Sequence, residues 1–368
     1  MTPAKSPYAL IIAGATPAGC AAAIRARQLG LRTLLLDGLS RPRVRERLDW
    51  LGPPAIALLA ECGLAAPALH ASAFCGLHLH DWDLRRKTCV TEADLVGWVV
   101  DLGVLVDALW NAAKSLGAQT LCDAVPAEVS LKEDCVTLRL RDGRELHGLI
   151  LLVAEGLDAP TAALARMPLA RRAESVAGCA SVAFPTETNT AGLDVVIGAR
   201  RVLQTAAILR AAGRVCVSLM TRDTQSPADT QLAAFLEAAR AAQLIPASRT
   251  PAPRTTLTPA GVALDLETHV GKRCLLIGEA GGFVAAFSNE SIYPAMRSGS
   301  IAAETAARAL AAPLLQDELS SFSAAWRSEL ADYLRLPNTD LSLLLPLVFN
   351  NPQMSARVAR AFLLGQGF

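Results

Sequence analysis

The chain has 368 residues, long enough to bury a large core and to divide into two lobes. Hydrophobic residues make up 52% and charged residues 19%, with a formal charge of +1, so no basic excess is offered to a nucleic acid. No apolar run reaches the roughly 18 residues a membrane span needs, and the composition is that of a soluble α/β protein expected in the cytoplasm.

The first predicted element is a strand over Tyr8 to Ala13, a short apolar run of the kind buried in a parallel sheet. Gly14-Ala15-Thr16-Pro17-Ala18-Gly19 interrupts it, and Pro17 suits the first turn of a helix, where its missing N–H costs nothing. Small residues at Gly19, Ala21, Ala22 and Ala23 let that helix sit close to its neighbours, Gly30 ends it, and Leu31 to Leu36 supply the next strand. Asp37 follows Gly14 by about the twenty residues that bring an acid onto a ribose in a dinucleotide fold. Gly14, Thr16 and Gly19 at the helix N-terminus are therefore candidate pyrophosphate contacts, and Asp37 a candidate acceptor for two ribose hydroxyls. Thr16 stands where this fingerprint has its second glycine. Lys5, the apolar run and Cys20 mimic a lipoprotein signal, but turn residues break the run, and the nucleotide unit is the better reading.

A basic connection follows, Ser40-Arg41-Pro42-Arg43-Val44-Arg45-Glu46-Arg47, either a solvated loop or a guanidinium clamp on a pyrophosphate, with Arg43 as the candidate. The pattern predicts a helix over Leu48 to Leu64, strands over 70–100, and a helix over Asp101 to Leu116 ended by Gly117. Gln119 to Leu152 reads as three strands, the first broken by Pro126 and the others turning at Asp142-Gly143. Longer strands are predicted at Gly178–Phe184, Asp194–Gly198, Val202–Leu209 and Arg214–Thr221, then a helix at Ala228–Ala242 and a Pro/Thr-rich linker at 246–260. A buried strand at Lys272–Gly278 precedes a helix over Ser291–Leu310. From Pro313 the chain reads as helical, with an apolar helix at Leu341–Phe349 docked on the body or, as the lesser reading, lying at a membrane surface.

The nine cysteines are scattered and never form CxxC, which reads as reduced side chains in apolar surroundings. His78 and His80 share a strand face beside Asp81, but without a third ligand they read as a satisfied surface pair, and no metal is expected.

Three separated stretches resemble the FAD-dependent oxidoreductases of the p-hydroxybenzoate hydroxylase fold. The first is the unit from Gly14 to Asp37. The second, Leu152-Val153-Ala154-Glu155-Gly156, looks like that family's A-D-G turn. The third runs from Leu275-Leu276-Ile277-Gly278-Glu279-Ala280-Gly281-Gly282-Phe283 through Ser288-Asn289-Glu290-Ser291-Ile292-Tyr293-Pro294-Ala295-Met296-Arg297-Ser298-Gly299. It is similar to the segment that holds the ribityl chain and opens a helix toward the flavin ring. The likeness spans the geranylgeranyl reductase, halogenase and quinone-cofactor-maturation branches, although the W-x-W-x-I-P signature of the halogenases is absent.

The resemblance implies an α/β fold with a discontinuous Rossmann-like FAD-binding domain (1–75, 101–170, 266–312). An antiparallel-sheet substrate domain (76–100, 171–265) and a C-terminal helical segment (313–368) complete it. It also implies FAD contacts at Glu279, Gly282, Asn289, Ser291 and Ile292. The expected activity is that of an FAD-dependent oxidoreductase, monooxygenase- or reductase-like. It would take an apolar or aromatic small-molecule substrate, with NAD(P)H as donor and no catalytic residue assigned. Thr16, Arg45, Arg47, Leu102, Glu155, Glu279, Asn289 and Ser291 depart from the family pattern. Two alternatives accompany the main reading: a flavoprotein that modifies a protein partner during quinone-cofactor maturation, and a non-enzymatic descendant that has lost FAD.

Overall fold

The computed structural model describes residues 7–40, 47–187, 189–198, 202–248, 250–337 and 341–367. The chain opens with β1 (Tyr8–Ala13), α1 (Pro17–Gln28) and β2 (Thr33–Leu36), and both strands are buried as apolar runs in a parallel sheet should be. Next come β3 (Leu48–Leu51), α2 (Pro53–Glu61), β4 (Ser72–Cys75), β5 (Leu77–Asp81), β6 (Lys87–Val90) and β7 (Val96–Asp101). Then follow α3 (Leu102–Ser115), β8 (Gln119–Leu121), β9 (Pro126–Leu131), β10 (Val136–Leu140), β11 (Glu145–Val153) and the short α4 (Pro160–Leu164). The middle of the chain holds β12 (Ala177–Pro185), β13 (Gly192–Gly198), β14 (Gln204–Ala211), β15 (Arg214–Thr221), α5 (Ala228–Ala241) and β16 (Arg254–Thr258). It closes with β17 (Val270–Gly271), β18 (Cys274–Leu276), α6 (Ile292–Ala311), α7 (Leu315–Ser320), α8 (Phe322–Leu334), α9 (Leu341–Val348) and α10 (Pro352–Leu364).

The first sheet has eight strands, ordered β17-β18-β11-β1-β2-β8, with β10 and β9 continuing from β11. Strands β18, β11, β1, β2 and β8 run parallel. Helix α1 crosses α6 closely because both carry small residues. A Cβ on Gly299 would sit 2.3 Å from the Ala18 carbonyl oxygen, so only glycine fits that crossing. The small face of α1 therefore serves a helix contact as much as a strand contact.

The second sheet has seven strands in the order β16-β12-β15-β14-β13-β5-β6, antiparallel except where β13 meets β5. Helix α5 covers one face, packing Leu232, Phe235 and Leu236 on Ala180, Val182, Phe184, Ile208, Val217 and Leu219. A small sheet, β3-β7-β4, packs against part of the other face together with α10, where Trp50 stacks on Phe362 at 5.2 Å between ring centroids. Among the described residues no helix is long and apolar enough to cross a membrane.

Several expectations need correction. Leu48–Leu51 is a strand, because it pairs antiparallel with β7, and the helix begins only at Pro53 after Gly52. Arg254–Thr258, within the expected linker, is an edge strand on β12. The segment 119–152 holds four strands, since Pro126 begins a separate strand paired with β10 while β8 joins β2. His80 is no surface residue. It is 4% exposed, and its Nε2 lies 2.7 Å from an Asp194 oxygen that His78 also approaches. Burial works against the Asp194 charge, but His80 and Arg210 hold its carboxyl down to about 2.

Candidate active site

The crevice at the carboxyl end of β1 is where an open parallel sheet receives a ligand, because the connections on either side of that strand diverge there. Gly14 turns the chain at φ +108°, and a Cβ there would strike the Ala154 carbonyl at 2.4 Å, so the end of β11 rather than a ligand demands this glycine. Thr16 caps α1 by accepting a weak 3.4 Å bond from Gly19 N–H, and its hydroxyl donates to the Ala154 carbonyl at 2.8 Å. Threonine thus ties the turn to β11 at the position of the missing glycine. Asp37, 1% exposed, sits at the end of β2 with its N–H on Leu121 and its carbonyl receiving Ala124 N–H. One carboxylate oxygen of Asp37 accepts Leu39 N–H at 3.2 Å. Gly14, Thr16, Gly19 and Asp37 are therefore brought together; Arg43 and Arg45 lie outside the described residues.

At the end of β18 the chain makes a short 3₁₀ turn containing half-buried Glu279, whose Oε2 lies 3.7 Å from where a Cβ on Gly156 would stand. The two acid–glycine turns noted in the sequence thus meet in space. Glu155 is engaged locally, accepting Thr161 N–H and Oγ1–H at 2.7 Å each, while burial raises its pKa. Gly282, at φ +77°, packs against the Val262–Ala263 backbone. Asn289 adopts φ +56°, accepts the Thr258 hydroxyl at 2.7 Å, and places Nδ2 4.0 Å from Cys179 Sγ.

Ser291 flanks α6 but makes no side-chain cap. Glu290 does that work, accepting Ile292 and Tyr293 N–H on one oxygen at 2.8 Å each, with the Tyr333 hydroxyl donating to the other at 3.1 Å. Burial pushes the Glu290 carboxyl up to about 8, and Asp49 adds to the rise. The sequence reading missed Glu290, although an acid just ahead of an apolar helix start is a legible capping signal.

Above this loop lies the uncovered part of the second sheet. Side chains alternate along β12, so the even positions that face α5 leave Cys179, Ser181 and Ala183 pointing the other way. Their cross-strand partners on that face are Met220, Ser218 and Cys216, with Thr256 beside Cys179 and Ala207 beside Ser218. The roof is thus small, hydroxylic and only half-buried at Cys179, Ser181, Ala207 and Ser218.

Arg47 enters from the start of β3, donating from Nη2 to Asp49 Oδ2 at 2.5 Å, and Asp49 holds its pKa above the usual range. Half of its side chain remains accessible, yet Asp49, Cys179 and Glu279 all act on it electrostatically. Arg47 thus stays open to solvent while its charge reaches groups of both large sheets. The approach of Asp49 and Cys179 to Arg47 was not legible in the sequence, because only register and packing create it.

No family model matches the sequence, and no curated protein matches it. Solved structures do. A flavin-dependent brominase, Bmp2, superimposes with a TM-score of 0.75 at 16% identity, over 98% of this chain and 94% of that one. A geranylgeranyl bacteriochlorophyll reductase-like protein from Thermoplasma acidophilum gives 0.74 at 14% identity, over 97% and 96%. PqsL, a probable FAD-dependent monooxygenase from Pseudomonas aeruginosa, gives 0.66 at 17% identity, over 95% and 99%. The chain shares the α/β fold of these flavoprotein structures.

Proposed function

We propose that the chain is an FAD-dependent oxidoreductase, monooxygenase- or reductase-like, acting on a small organic molecule held under the second sheet. The observation that carries this is one continuous arrangement. Asp37 and the α1 N-terminus stand at one end, the paired turns at Gly156 and Glu279 in the middle, and the Arg47–Asp49 pair, whose charge Glu279 feels, at the other. These residues fit an FAD. Asp37 would hold the adenosine ribose, the first turn of α1 the pyrophosphate, and Glu279 a ribityl hydroxyl. Gly282, Asn289, Ser291 and Ile292 are proposed beside the ring, and Arg43 as an added clamp on the pyrophosphate.

When bound, FAD supplies the redox chemistry, and the chain supplies position and dryness. Glu290 holds the first turn of α6 rigid, the Asn289–Thr258 bond fixes the loop to the roof, and the apolar packing around Phe283 seals the floor. NAD(P)H is proposed as the donor, because such an enzyme needs an external source of electrons. We also propose that the division into lobes follows the two large sheets. The protein-modifying and cofactor-free alternatives gain no support from these neighbours.

The test is an absorbance spectrum of freshly purified protein, followed by thermal denaturation against FAD. The two visible bands of oxidised flavin are expected, with stabilisation that grows with FAD, about 2.7 kcal/mol at a hundredfold excess over Kd. A colourless protein whose melting ignores FAD would reject the reading.

A further inference from the structure

Glu290 lies between Asn289 and Ser291, in the loop proposed beside the ring, and is 3% exposed. Its backbone is pinned, with its N–H on Ser288 Oγ at 3.3 Å and its carbonyl receiving Ala285 N–H at 2.9 Å. Oε1 takes the amides of Ile292 and Tyr293, and Oε2 meets the Tyr333 hydroxyl. A phenol hydroxyl both donates and accepts. Oε2 therefore stays hydrogen-bonded when ionised, accepting from Tyr333, and when protonated, donating to the same oxygen. Oε1 keeps both amides in either state, so the start of α6 holds with or without the proton.

Tyr333 is 8% exposed, and with Ser288 it also lines a cavity of about 150 Å³ whose rim carries exposed Asp332 and Arg335. It thus touches both the buried carboxyl and a space that reaches the surface. The titratable groups facing Glu290 are Asp49 from β3, Tyr333 from α8 and Tyr293 on its own helix, while Arg47 is paired with Asp49. Burial, and then Asp49, carry the carboxyl to about 8, where its proton exchanges near neutral pH. Negative charge arriving beside it would raise it further.

We propose that Glu290 is the proton acceptor of the redox cycle, taking one proton from solvent by way of Tyr333 when the bound cofactor is reduced. The hydride from the nicotinamide donor brings two electrons and one proton, and leaves one negative charge beside the loop. An O–H bond then forms at Glu290 Oε2 and offsets that charge; reoxidation breaks it and returns the proton to solvent. This rests on the reading of the chain as an FAD enzyme, and it gives that reading a residue whose work is not cofactor binding.

The test is potentiometric titration of the FAD-loaded, full-length protein from about pH 6 to about pH 10, in wild type and E290Q. Glutamine keeps the amide acceptor of the cap but cannot titrate. Above about pH 8, the equilibrium constant for wild-type reduction should fall by a further factor of about ten per pH unit relative to E290Q. That extra factor is one additional proton per reduction. Below this pH, where Glu290 already carries its proton, the two slopes should coincide. Y333F should start the extra slope at higher pH, because the ionised carboxylate loses a hydrogen bond, and should slow the proton uptake that an indicator dye reports after reduction. Equal slopes in wild type and E290Q would overturn the proposal, as would an onset or an uptake rate that Y333F leaves unmoved. If E290Q fails to fold, Y333F decides. These results with FAD bound would overturn this proposal alone; a protein that takes up no FAD would overturn it together with the reading it rests on.

Discussion

The Thr258 hydroxyl donates to Asn289 Oδ1 at 2.7 Å, joining the edge strand of the second sheet to the loop that precedes α6. Its acceptor residue sits at φ +56°, where glycine is at ease and asparagine tolerated. Asn289→Gly removes one hydrogen bond, about 1 kcal/mol, and relieves a left-handed residue, so the two effects nearly offset. The expected result is a melting temperature within a few degrees of wild type and tighter FAD binding, measured by flavin fluorescence. Weaker FAD binding would show that the bridge organises the site rather than narrowing it.

Asp37 is buried at the end of β2, and its proposed role is recognition of the ribose. Asp37→Ala should weaken FAD at least tenfold, since each hydrogen bond to a carboxylate contributes about 1.5–3 kcal/mol. Thermal shift against FAD and against riboflavin separates the causes. Riboflavin lacks the adenosine half, so its weaker binding should be insensitive to the change.

Stability should depend on pH through two buried groups acting in opposite directions. Glu290 rises from 4.5 unfolded to about 8 folded, so its contribution is complete below 4.5 and is lost as pH rises through 8. His269 is buried against Phe283 and Trp326 and donates Nε2–H to the Gly281 carbonyl at 2.8 Å. Burial lowers its pKa from 6.5 to about 4, so its contribution is complete above 6.5 and is lost as pH falls through 4. Between 4.5 and 6.5 the two slopes oppose one another. From 6.5 to 8 Glu290 alone of the two acts, and its contribution to the unfolding free energy should fall by about 2 kcal/mol. Urea denaturation across this range checks it, and Glu290→Gln, which keeps the helix cap, should flatten the curve.

The α1–α6 crossing allows no side chain at Gly299, where a Cβ would lie 2.3 Å from the Ala18 carbonyl. Gly299→Ala should destabilise the protein by about 1–3 kcal/mol, the usual cost of overpacking. It should also displace the first turn of α1 and so weaken FAD. Denaturation midpoints together with FAD affinity measure both effects.

Much of the first lobe was legible in the sequence. The βαβ unit, the α3 helix capped by Asp101, the Asp142-Gly143 hairpin and the α6 helix all rest on signals within a few residues of one another. Apolar periodicity, proline at a helix start and glycine at its end act locally, so a linear reading finds them. Leu48–Leu51 failed because its four residues become a strand only through β7, about fifty residues later, and Arg254–Thr258 failed because β12 recruits it. The meeting of these groups with the second sheet belongs wholly to tertiary structure. Arg47, Cys179 and Asn289 come from three regions of the chain, and no spacing rule connects them. The sequence by itself determined the opening βαβ unit and most of the helices, because short-range sterics and hydrogen bonding set those. Only the folded chain decided which faces of the strands meet, and so which side chains share the cleft, because a strand shows alternate residues to opposite sides and its register is set by distant partners.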